Sequence, residues 1–277
     1  MNHKIKKNVV ITGGATGLGA ALCECFLDDD WGVIAIDSNE VGLNEFKARL
    51  SETQAHRLHT YVADVSDYNA LEAVALEIVA LQIGPVSIWI NNAGIAKVGS
   101  FDEVSIDDFE SSVRVNLLGV YYGSKISYSL MKSQGYGQIV NVSSISGIVP
   151  APFMTSYAAT KYGVVGLTRS LREECVQTEN GIDIQLVLPG FVKTDMLKGQ
   201  SLELPDWLSS TLENPKTVMY EVYKKILKRD AEIVVTRNGK VMAGINRIFP
   251  RVLPKASRFV TGKNWKQRLG LEPIESD

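Results

Sequence analysis

Seven short β-rich runs, separated by helical patterns, constrain this chain more than any other feature of it. Residues 8–12, 33–36, 58–63, 86–90, 138–142, 183–188 and 232–236 read as buried strands, rich in Val and Ile. Between them, 17–29, 40–51, 66–82, 105–132, 154–177 and 215–229 carry apolar residues at helical spacing. Strands joined through helices pair in parallel, and a parallel sheet is covered on both faces. The right-handed crossover rule then leaves a doubly wound parallel seven-stranded α/β sheet. In such folds ligands sit beyond the C-terminal ends of the strands. The Gly, Asx and Ser clusters of this sequence follow its strands. No repeat or low-complexity linker interrupts the series, so we read one domain over residues 1–236 and a C-terminal extension over 237–277.

Composition excludes several classes. The 277 residues carry a net charge of −2, 45% are hydrophobic and 22% charged, which is ordinary globular usage and neither disordered nor collagen-like. A dedicated nucleic-acid binder would be strongly basic. Three cysteines, Cys23, Cys25 and Cys175, are too few for a disulfide framework and read as buried free thiols. The histidines, His3, His56 and His59, stand away from any Cys pair, and no metal site is expected. No stretch approaches the roughly 18 apolar residues of a membrane span, and the expectation is a cytoplasmic protein.

The first strand runs into Thr12-Gly13-Gly14-Ala15-Thr16-Gly17-Leu18-Gly19, which opens the first helix. Glycine is needed where backbone turns sharply or approaches a phosphate, and a helix N-terminus offers free N–H groups to a pyrophosphate. Asp37 ends the second strand, 18 residues after Gly19. A carboxylate there can accept both hydroxyls of an adenosine ribose and would repel a 2′-phosphate by roughly 4 kcal/mol at ~4 Å. No Lys or Arg lies within 13–19 or directly after Asp37 to offset that, which favours NAD over NADP. Asp64, ending the third strand, could accept from an adenine amino group. Asn91-Asn92-Ala93-Gly94 leaves room beside it.

Tyr157 and Lys161 stand at i and i+4 on one helix face among small residues. Ser144 ends the fifth strand, and Asn116 sits inside a helical stretch whose propensity it lowers. Together these pieces resemble the short-chain dehydrogenase/reductase family: Thr12-Gly13-x3-Gly17-x-Gly19, Asp64, Asn91-Asn92-Ala93-Gly94, Asn116, Ser144, Tyr157-x3-Lys161, and Pro189-Gly190 with Thr194. They occur in family order across residues 8–195.

The resemblance implies a Rossmann-like domain, a nicotinamide cofactor and alcohol–carbonyl redox chemistry, with Asn116, Ser144, Tyr157 and Lys161 as catalytic tetrad. Gly13, Thr16, Gly17, Leu18, Gly19, Asp37, Asp64, Val65, Asn92, Ala93, Gly94, Tyr157, Lys161, Pro189, Gly190, Val192 and Thr194 would hold the cofactor. Tyr157 would act as general acid/base. An ammonium ~4 Å away could supply the roughly 3 units by which a phenol must drop to work near pH 7. Ser144 would bind the substrate oxygen, Asn116 would anchor a relay water, and Thr194 with the backbone at Val192 would hold the carboxamide.

The substrate wall is expected from Ser146, Ile148, Val149, Pro150, Phe153 and Met154, with Ile95 and Ala96 opposite. Segment 191–214 reads either as an apolar lid or as variable surface. No Arg is placed to grip a carboxylate, so a hydrophobic secondary alcohol or ketone is expected. The alternative is a catalytically silent nicotinamide-binding regulatory protein. Residues 221–277 carry 13 Lys and Arg against 6 Asp and Glu, a net +7. The rest of the chain carries 16 against 25, a net −9. That basic segment could touch an anionic membrane surface weakly, or pack over the substrate mouth or a partner subunit. A homodimer or homotetramer through the helices at 105–132 and 154–177 is expected.

Overall fold

A computed structural model describes residues 7–192 and 212–248. Its strands are β1 (Asn8–Thr12), β2 (Gly32–Asp37), β3 (Leu58–Val62), β4 (Val86–Asn91), β5 (Gly137–Val142), β6 (Ile182–Pro189) and β7 (Glu232–Val235). They form one sheet in the order β3-β2-β1-β4-β5-β6-β7, parallel throughout. The order reverses between β1 and β4, which opens a crevice above their C-terminal ends. This is the doubly wound, Rossmann-like architecture expected from the alternation.

The helices are α1 (Gly17–Asp28), α2 (Glu40–Ala48), the single turn α3 (Glu52–Ala55), α4 (Tyr68–Ala80), α5 (Ile106–Val113), α6 (Gly119–Gln134), α7 (Thr155–Thr178), α8 (Pro215–Leu227) and α9 (Arg237–Ile248). Their starts are written in the sequence. Asn39, Asp67, Ser105 and Asn214 each accept a backbone N–H of the first turn, and Ser51 with Gln54 closes a capping box. Pro215 stands in the first turn of α8, where its missing N–H costs nothing. Gly135, in left-handed geometry, ends α6.

One core face joins the sheet to α1, α2 and α8 through Leu22, Phe26, Phe46, Val222 and Ile226. The other joins it to α4, α6 and α7 through Leu71, Ile78, Trp89, Met131 and Cys175. Two buried glutamines on the inner strands are satisfied: Gln138 donates to Gln185 at 3.1 Å and to the Ile226 carbonyl of α8 at 3.0 Å. The three cysteines are free, and burial pushes the Cys25 thiol up to about 11.

One expectation changes. The helix read over 105–132 is not one α-helix: Arg114–Leu118 forms a π-helical turn between α5 and α6, centred on buried Asn116. Such turns insert one extra residue and re-aim a side chain. The start of the C-terminal extension, for which membrane contact and packing on the chain are the two alternatives, is helical. It forms α9, which packs on β7 and on the 3₁₀ turn Ile145–Gly147 beside the crevice. The basic segment beyond 248 and most of the expected lid (193–211) lie outside the described residues.

Candidate active site

The glycine loop is shaped by close approach. Gly13 has φ +66°, and a Cβ on it would come within 2.8 Å of the Ala93 Cα. A Cβ on Gly19 would meet the Gly13 carbonyl oxygen at 1.9 Å. The Gly13 and Gly14 N–H groups both donate to the Ile36 carbonyl, holding the loop on β2. Asn92 braces it from the other side, donating to the carbonyls of Thr12 and Gly13 at 3.0 and 3.3 Å. Thr12 completes the brace, its hydroxyl accepting the Asn92 and Ala93 N–H groups.

Thr16, the N-cap of α1, makes no side-chain capping bond, although Thr is a favoured cap. Thr16 and Gly17 are exposed and Leu18 is half-buried against the core, so the N-terminal turn of α1 is open to a ligand. This is a cradle for an anion, and the residues fit the pyrophosphate of a dinucleotide.

Asp37 stands at the rim. Its Oδ2 accepts the Ala15 N–H and its Oδ1 the Asn39 N–H, both at 3.0 Å. The carboxylate is thereby fixed against the glycine loop. Asp64 is exposed, with Oδ1 accepting the Ser66 N–H at 2.8 Å. Val65 is buried against Gly119, whose Cβ would come within 2.8 Å of it.

At the middle of the sheet, Ser144, Tyr157 and Lys161 come together. Ser144 follows β5 in extended geometry and caps the 3₁₀ turn, accepting the Ser146 N–H at 3.1 Å. Lys161 is 3% exposed; its Nζ donates to the Val142 carbonyl at 3.1 Å and lies 5.5 Å from the Tyr157 ring centre. Ser143, not singled out for any role by its sequence, fastens this helix turn by donating to the Lys161 carbonyl at 2.9 Å.

Burial pushes the Tyr157 phenol above its ordinary value, and a hydrogen bond with Ser144 acts in the opposite direction. Burial lowers the Lys161 ammonium to about 8. The expected depression of the phenol by Lys161 is therefore not a property of the chain alone. The ammonium is itself desolvated and is engaged with the Val142 carbonyl.

Asn116 is fully buried, and its amide is committed to backbone. Its Oδ1 accepts the Ile95 N–H and its Nδ2 donates to the Ile95 carbonyl, both at 2.8 Å, with a further bond to Thr160 Oγ1 at 3.1 Å. Both of its amide hydrogens are thus spent inside the protein. Gly94 lies between Asn116 and Lys161: a Cβ there would be 3.2 Å from Asn116 Oδ1 and 3.5 Å from Lys161 Nζ.

The chain matches the short chain dehydrogenase family over residues 7–204. It belongs to that family. As a short-chain dehydrogenase it is an oxidoreductase acting on CH–OH groups with a nicotinamide cofactor. It is 29% identical to a ketoacyl reductase, HetN, of Nostoc sp. over 95% of this chain and 92% of that one. It is 33% identical to the oxidoreductase UcpA of Escherichia coli K12, over 80% and 81%. Among solved structures, NADP-bound ElxO superimposes with a TM-score of 0.69 at 29% identity, over 80% of this chain and 90% of that one. Levodione reductase does so with 0.72 at 27%, over 86% and 98%.

Of the residues expected to line the substrate, Ala96, Ser146 and Val149 are buried, Ile95, Ile148, Phe153 and Met154 are half-buried and Pro150 is exposed. Pro189 ends β6, Gly190 follows, and Val192 forms an isolated bridge to Glu213. Thr194 lies outside the described residues. The roles of Ser143 and Thr160 had no sequence signal, because a small hydroxyl residue in a strand or helix looks the same whether it is buried against a loop or exposed.

Proposed function

We propose that this dehydrogenase interconverts a hydrophobic secondary alcohol and its ketone with NAD(H), Tyr157 acting as general acid/base. The observation that carries the reading is the convergence of Ser144, the buried Tyr157 phenol and the buried Lys161 ammonium at the C-terminal edge of the sheet. The cofactor supplies the hydride chemistry when bound. Gly13, Thr16, Gly17, Leu18 and Gly19 would cradle its pyrophosphate, Asp37 its adenosine ribose, and Asp64 with Val65 its adenine. Asn92, Ala93 and Gly94 would leave room for its adenosine half, and Pro189, Gly190, Val192 and Thr194 would hold its nicotinamide half.

Within the chain, Ser144 holds the substrate oxygen and stabilises charge developing on it. Tyr157 takes the hydroxyl proton in oxidation and returns it in reduction. Lys161 places a positive charge behind the phenol, and Asn116 fixes the chain at Ile95, on the opposite wall. NAD preference rests on Asp37, whose carboxylate disfavours a 2′-phosphate, although solved relatives include NADP-bound ones. The half-buried wall of Ile95, Ile148 and Met154 supports an apolar substrate. Exposed Phe109, Tyr121 and Tyr162 on α5, α6 and α7 support association of two copies through those helices.

Turnover of a panel of aliphatic and alicyclic secondary alcohols, followed by NADH absorbance, tests the reading. Tyr157→Phe should lower kcat by about 10²- to 10⁴-fold while NADH still binds. Undiminished turnover in that variant would overturn the assignment.

A further inference from the structure

The C-terminal helix α9 touches both walls of the crevice through two asparagines. Asn246 Nδ2 donates to the Ile148 carbonyl at 2.7 Å, across 98 residues of sequence. Ile148 is the residue that follows the 3₁₀ turn capped by Ser144, and α9 packs on that same turn. Two turns earlier in α9, Asn238 Oδ1 accepts the Phe191 N–H at 3.3 Å, just after Pro189-Gly190.

The entry into α9 is a strained corner. Thr236 is buried and has φ +70°, a left-handed conformation that is an outlier for a β-branched residue. Its hydroxyl donates to Asn238 Oδ1 at 2.5 Å and accepts the Gly239 N–H at 3.0 Å. Gly190 fits against it with no room for a side chain: a Cβ there would lie 2.2 Å from Thr236 Oγ1 and 2.3 Å from Asn238 Oδ1. Strain of this kind persists only where the surroundings over-determine it, and it clusters where geometry matters for function.

The substrate wall is pinned at its other end as well. Phe153 also has positive φ (+63°), and its carbonyl accepts the Gly99 N–H at 2.9 Å. Among the described residues, the wall from Ile148 to Phe153 is held by Gly99 at one end and by Asn246, from the C-terminal segment, at the other.

We propose that α9 is a strut that sets the width of the cleft, with Asn246 the positioning residue for the substrate wall and Asn238 for the Gly190–Val192 wall. Neither touches the reacting atoms; each acts through the backbone it holds. This rests on the functional reading above for which wall faces substrate and which faces cofactor. It predicts a division of labour between two residues of one helix.

The probes are NADH and the methyl ketones from 2-butanone to 2-decanone. Asn246→Leu should raise ketone KM about tenfold or more and alter the chain-length preference, with kcat and the NADH Kd nearly unchanged, since misplacing a wall weakens binding shared by ground and transition states. Asn238→Ala should instead raise the NADH Kd. Asn246→Gln, which keeps the donor, should recover part of the lost KM. Hydrogen exchange of residues 145–154 should accelerate in Asn246→Leu and not elsewhere, a readout that needs no turnover. If the wild type reduces none of the ketones, the substrate assignment fails, and the exchange measurement still decides the strut. Unchanged exchange over 145–154 in Asn246→Leu overturns the strut, as does a KM profile across the ketones matching that of the wild type.

Discussion

Asn116 and Ile95 exchange a pair of hydrogen bonds, the side-chain amide standing in for a neighbouring strand: Oδ1 takes the Ile95 N–H and Nδ2 serves the Ile95 carbonyl, each at 2.8 Å. The π-helical turn Arg114–Leu118 presents the amide to that backbone. Replacing Asn116 by Leu would leave the half-buried Ile95 N–H and C=O without their partner, while the Thr160 hydroxyl keeps its bond to the Tyr157 carbonyl. We expect a loss of about 2 to 4 kcal/mol in urea unfolding, with the m-value unchanged. Activity should fall with it, because residues 94–96 border Lys161. A stability equal to the wild type would show that the pair is not structural.

Asp37 gives a prediction about cofactor choice. Asp37→Asn keeps an oxygen for the Ala15 N–H and removes the charge. The ratio of kcat/KM for NADPH over NADH should rise on the order of ten- to a thousandfold, the upper end being the unscreened ~4 kcal/mol of a carboxylate against a 2′-phosphate. Steady-state kinetics with both cofactors measure it. An unmoved ratio would remove Asp37 as the discriminating group.

Lys161 gives a prediction about pH. Burial lowers its ammonium from 10.5 to about 8 in the folded protein. Below pH 8 both folded and unfolded chains hold the proton, and the full cost of burying the charge is present. Between about pH 8 and 10 only the unfolded chain holds it, so this group makes stability rise with pH, by on the order of 3 kcal/mol at most. Lys161→Met, neutral at every pH, should lack that rise. Urea midpoints of both proteins across the window provide the check; parallel curves would contradict a depressed Lys161.

The fold was legible because its signals are local. Seven Val- and Ile-rich runs and the turn glycines each report their own few residues, and each strand is found where the pattern put it; the caps Asn39, Asp67, Ser105 and Asn214 are equally local signals, seen in the structure. The glycine loop was legible for the same reason, since Gly13 and Gly19 answer to backbone only angstroms away. Asn116 was visible as an anomaly in a helix. Its partner Ile95 was not, because a hydrogen bond to a distant backbone group leaves no mark on the identity of the residue that accepts it.

By itself the sequence determined the order of strands and helices, the cradle at the start of α1 and the Tyr157–Lys161 spacing, all of which follow from periodicity and short-range sterics. Only the tertiary structure decided the π-helical turn at Asn116, the raised phenol of Tyr157 and the seating of α9 against Ile148 and Phe191. These depend on how much water burial removes and on which chain segments, up to 98 residues apart, come within 3 Å. Burial and long-range contact are properties of the packed whole. The basic segment forms, through residue 248, a helix that packs on β7 and on the 3₁₀ turn Ile145–Gly147.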